Sequence, residues 1–94
     1  MKGVETVDQG IPVDVISVCS ADGQIRPLRL RLEDESKQML RIHIEEIIST
    51  RDVPYVGAEA MIFQCRAVLW GQSTVFELKY SLRSHSWRIL RKLH

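Results

Sequence analysis

Apolar and polar residues alternate with a period of two along most of this chain. Leu28, Leu30 and Leu32 are separated by Arg29 and Arg31, and Leu40, Ile42 and Ile44 by Arg41 and His43. Met61, Phe63, Cys65, Ala67 and Leu69 make one face of a later run. Phe76, Leu78, Tyr80 and Leu82 then alternate with Glu77, Lys79 and Ser81. Sustained alternation is the mark of a strand with one buried face. Turn-forming residues fall between the runs, at Asp22-Gly23, Asp34 to Gln38, Gly71-Gln72 and Ser84-His85-Ser86. The pattern predicts six strands, near residues 11–19, 25–34, 39–48, 60–70, 73–82 and 86–92. Short connections between successive strands favour an all-β antiparallel meander, closed or nearly closed into a small barrel or sandwich that protects its edges. Residues 1–10 read as a loosely ordered leader and residues 11–94 as one β domain.

Turn chemistry suggests how the strands align. Asp22-Gly23 suits a two-residue type I′ hairpin, which sets Val13 opposite Leu32, Val15 opposite Leu30 and Asp14 opposite Arg31. Gly71-Gln72 suits a type II′ turn, which sets Cys65 opposite Leu78, Phe63 opposite Tyr80 and Arg66 opposite Glu77. The middle hairpin carries no diagnostic turn. Facing Arg31 with Arg41 and Arg29 with His43 puts like charges together and builds a basic stripe. A slide by two residues pairs Glu33 with Arg41 and Arg29 with Glu45, and neutralises that stripe. Opposed cross-strand charges are worth roughly 0.2–1 kcal/mol per pair, so charge alone favours the slid register.

Two adjacent acids, Glu45-Glu46, would point to opposite faces of a regular strand. A bulge there would turn Glu46 outward, in keeping with the doubled Ile47-Ile48 that follows. Trp87 and Ile89 continue the inner face of the last strand, with Trp87 opposite Leu82 across a tight turn.

Composition narrows the function classes. The 94 residues are 45% hydrophobic and 27% charged, an ordinary globular balance and no match for disorder or a fibre. No apolar run approaches the roughly 20 residues of a membrane-spanning helix, and the start, Met1-Lys2-Gly3-Val4-Glu5, lacks the apolar core of a signal peptide. A cytoplasmic setting is the expectation. Net charge is only +1, which does not advertise a nucleic-acid-binding domain. The charges are unevenly spread, however. Residues 1–24 hold one lysine against Glu5, Asp8, Asp14 and Asp22, whereas residues 83–94 hold Arg83, Arg88, Arg91 and Lys92 and no acid.

Candidate chemistry is sparse. Cys19 and Cys65 are too far apart for a zinc knuckle and sit within apolar segments, so buried, reduced thiols are expected. His43, His85 and His94 have no ligand spacing; no metal or cofactor is expected. No nucleophile elbow, catalytic carboxylate pair or phosphate-binding glycine loop occurs, and no catalytic residue is assigned. Arg29, Arg31 and Arg41, with Arg88, Arg91 and Lys92, are the candidates for nucleic-acid contact. Against them stand the competing acids Asp14, Glu33 and Glu45 and the want of interleaved aromatics.

One feature resists a purely structural reading. Ile62, Val68, Trp70 and Val75 fall on the outer face of the fourth and fifth strands, and Ile16 and Val18 on that of the first. Such an apolar face needs a cover. Residues 49–59 could cross it as a lid, or a second copy of the chain could pack on it.

The run Gly23-Gln24-Ile25-Arg26-Pro27-Leu28, with Phe63-Gln64-Cys65, Glu77-Leu78-Lys79-Tyr80 and Trp87, resembles short uncharacterised proteins of Gram-positive, clostridia-like bacteria. The resemblance implies a free-standing bacterial β protein and transfers no site residues. The reading that follows is a non-catalytic binding module, self-associating through the Trp70 face. The alternative is a weak binder of RNA or single-stranded DNA, and an enzyme is a remote third.

Overall fold

The computed structural model describes residues 10–93, so the leader expected over residues 1–10 lies outside the described residues except for Gly10. Six strands form, β1 (Ile11–Cys19), β2 (Ile25–Glu33), β3 (Met39–Val53), β4 (Ala60–Leu69), β5 (Gln72–Ser81) and β6 (Ser86–Lys92). Each pairs antiparallel with its neighbour in sequence, and β1 meets β6 to close a barrel. The inward residues Leu30, Ile42, Phe63, Cys65, Ala67, Phe76, Leu78, Tyr80 and Trp87 make one core. Trp87 stacks obliquely on Tyr80 and Phe63, with ring centroids 4.7 and 5.6 Å apart. It therefore faces Tyr80 across β5 and β6, not Leu82. Leu82 lies in a four-residue turn that ends on His85 with φ 56°, and it is exposed.

Bulges let one long strand serve both halves of the barrel. The β3–β4 register slips at Glu45 and again at Ile48, leaving each without a partner. An extra residue bends a strand and sharpens its twist. The first bulge turns Glu46 outward, opposite Arg66, with which it forms an ion pair. The second explains the doubled isoleucine: Ile47 packs against the core while Ile48 is exposed. Beyond it, residues 49–53 stay in the ladder with β4, opposite Gln64 to Ala60. They are strand, so of the 49–59 segment weighed as a lid only residues 54–59 lie outside the sheet.

The seam between β1 and β6 is short, with Ile11, Pro12 and Val13 facing Ile89, Arg88 and Trp87. Gly10 leads into it at φ 100°, and a Cβ there would come within 2.5 Å of the Ile89 carbonyl oxygen. The Arg88 guanidinium donates to the Gly10 carbonyl at 3.0 Å and ties the chain to the seam.

Candidate anion-binding face

The first three strands present the molecule's basic stripe, and the turns decide it. Ser20 and Gln24 close the β1–β2 hairpin around a three-residue loop, not the expected two-residue type I′ turn. Gly23 has positive φ (89°), whereas Asp22 does not. The extra loop residue is cancelled further along. Leu28 bulges out of β2, so Ile16 meets Arg29, Val15 meets Leu30 and Asp14 meets Arg31, as the pattern of apolar and charged residues requires. Asp14 accepts from Arg31 Nε at 2.9 Å.

The β2–β3 hairpin repeats this construction. Asp34 and Gln38 close a three-residue loop whose last member, Lys37, takes the left-handed conformation (φ 69°). The Asp34 carboxylate accepts from the Ser36 amide, the Ser36 hydroxyl and the Gln38 amide, each at 2.9 Å. The Gln38 amide, then Ser36, hold this carboxyl below the usual carboxylate range. Asp22 is lowered in the same way, by the Ser20 hydroxyl first and the Gln24 amide second. With this turn fixed, Arg29 faces His43, Arg31 faces Arg41 and Glu33 faces Met39. The charge-matched register with Glu33 on Arg41 and Arg29 on Glu45 is thereby excluded. The three hydrogen bonds, at about 1 kcal/mol each, fix this turn against the Arg31–Arg41 opposition and the two forgone Glu–Arg pairs, at about 0.2–1 kcal/mol each.

Of the acids expected to compete for the stripe, Asp14 alone forms an ion pair with it. Arg29, Arg41 and His43 have no ion-pair partner among the described residues. These side chains, with Asp14, Ile16 and Arg31, line an open depression of about 500 Å³ on the barrel surface.

Arg88 and Arg91, among the C-terminal cations, are engaged elsewhere. Arg91 and Arg51 hold Glu77, at 3.1 and 3.5 Å, and the Glu77 side chain is only 8% exposed. Arg88 is half-buried at the seam, and Lys92 is exposed at the end of β6. None of Arg88, Arg91 and Lys92 lines the depression at Arg29, Arg31 and Arg41. The Glu77 cluster replaces the expected Arg66–Glu77 pair. The β4–β5 turn is a type I′ turn at Trp70-Gly71, with φ 49° and 77°, so the ladder sits two residues from the type II′ expectation. Phe63 then faces Leu78, Cys65 faces Phe76, Met61 faces Tyr80 and Gln64 faces Glu77. A shift of two keeps every side chain on its expected face, and Arg66 is left for Glu46.

The apolar outer set divides. Trp70 is 74% exposed, Ile16 53%, Val68 49% and Val18 37%, whereas Ile62 is 8% exposed and Val75 half-buried. Ile62 lies between Arg51 on β3 and Lys79 on β5, long side chains whose methylene stems can flank an apolar neighbour. Residues 54–59 give no cover to Trp70. They adjoin the Ala60 end of β4, with Tyr55 and Val56 exposed, while Trp70 follows the other end.

Among the described residues no three His, Cys, Asp or Glu side chains gather as a metal site. No protein family, curated protein or solved structure matches this chain.

Proposed function

We propose that this barrel is a non-catalytic binding module whose β1–β3 face takes the phosphate backbone of single-stranded nucleic acid. The carrying observation is the β2–β3 register, which sets Arg29, Arg31, Arg41 and His43 side by side with one carboxylate among them. A second observation bears on the aromatic contact that such binding uses. Trp70 occupies a left-handed turn position, costly for a bulky side chain, and spends its indole on solvent. Neither turn nor core gains from tryptophan there, and strain of this kind gathers at working sites. The last β3–β4 pair is Ile44 with Ala67. Trp70 lies three residues past Ala67, and Arg41 three residues before Ile44, so both lie beyond the same end of the ladder.

A labelled single-stranded oligonucleotide should bind at low salt and be released as salt rises. With three phosphates neutralised, the slope of log affinity against log salt is about −2. Arg29→Ala and Arg41→Ala should each flatten it by about 0.7, while Trp70→Asn should weaken binding and leave the slope unchanged. Absence of binding to RNA and to single-stranded DNA at low salt refutes the proposal.

A second reading, self-association through the Trp70 face, is favoured by the exposure of Trp70 and Val68. A dimer that Trp70→Glu converts to monomer would support it.

A further inference from the structure

We infer that the outer edge of β1, Val15–Cys19, pairs antiparallel with the same edge of a second copy of this chain. The ladder between β1 and β6 ends at Val13. Past that point β1 is paired with β2 on one side only, so the backbone of Val15–Cys19 has no strand partner on its other side among the described residues. An exposed edge is ordinarily blunted by charge, proline or a bulge. Within Val15–Cys19 this one has none of these, and Asp14, the charge that begins the free edge, is held by Arg31 of the same chain. Val15-Ile16-Ser17-Val18-Cys19 carries no charge and no proline, and the bulge in this hairpin lies on β2, at Leu28. Three of its five residues are β-branched and apolar, which suits pairing.

The occupant follows from self-complementarity. An antiparallel pairing on a two-fold axis at Ser17 brings Ile16 against Val18 of the second copy and Val15 against Cys19 of the second copy. The nearest charge, Asp14, meets Ser20 of the second copy, so no like charges oppose. Such a contact is isologous and closes at two chains. It sets the β1–β3 faces of two barrels, and with them two basic stripes, side by side. The pairing stands whether or not that face binds nucleic acid.

Light scattering across micromolar to submillimolar concentrations should find twice the chain mass. Backbone amides of Val15–Cys19 should gain protection from hydrogen exchange as concentration rises. Ile16 and Val18 are exposed, so the double variant Ile16→Lys, Val18→Lys should keep the far-ultraviolet spectrum and weaken association at least tenfold. Trp70→Asn should leave association unchanged. A wild-type monomer throughout the range, a dimer with no added protection at Val15–Cys19, or a dimer dissolved by Trp70→Asn would each overturn the inference.

Discussion

Cys65 and Cys19 show how position on a strand sets the chemistry of one residue type. Cys65 faces the core between Phe63 and Ala67 and is fully buried, and burial pushes its thiol up to about 12. Cys19 ends β1 and is exposed. The thiolate is the reacting species, so the two should separate cleanly. Iodoacetamide at mildly alkaline pH should add one group to the native chain, at Cys19, and two after denaturation. Peptide mass mapping checks this, and native modification of Cys65 at a comparable rate would contradict the packing. Alternation in the sequence places Cys65 inside. It also suggests burial for Cys19, because nothing in the pattern shows that β1 outruns β6 and leaves its far end uncovered.

Among elements, what could be read from sequence divides by the range of the force involved. Strand positions follow from alternation within a few residues, and all six lie where the pattern puts them, apart from the extension of β3 to Val53. Register is harder, because it depends on loop length, and a loop one residue longer can be undone by a bulge, as at Gly23 and Leu28. Charge matching misleads at β2–β3 because hydrogen bonds to the Asp34 carboxylate fix a three-residue loop, and the loop fixes the register. Turn type misleads at β4–β5 because Gly71 can serve as first or second residue of a tight turn. Trp70 in the first position is not something turn statistics would offer, since type I′ turns favour asparagine there. Trp70→Asn should therefore raise stability by about 1 kcal/mol, a melting-temperature rise of roughly 4–8 °C for a domain this size. Thermal unfolding checks it. An unchanged or lower melting point would show that the indole has a structural task, removing the argument that it is kept for a ligand.

For the whole molecule, closure depends on its shortest ladder. β3 and β4 share eight facing pairs and β4 and β5 ten, while β1 and β6 share three. The sequence announces a barrel or sandwich without deciding between them, because closure turns on Gly10, whose glycine character has a meaning only once Ile89 is beside it. At φ 100°, with an added Cβ 2.5 Å from a backbone oxygen, alanine can fit only if the seam opens. The strain of a left-handed alanine alone costs about 1–2 kcal/mol, and the displaced oxygen adds to it. Gly10→Ala should thus lower the melting temperature by at least about 4–8 °C. The loss should be local before it is global. Amides of Ile11 and Val13 should exchange faster while those of β4 and β5 keep their protection, since the long ladders do not touch Gly10. Uniform loss of protection through all six strands would mean that the seam and the body unfold as one unit. Unchanged stability would mean that the barrel does not close where Gly10 meets Ile89.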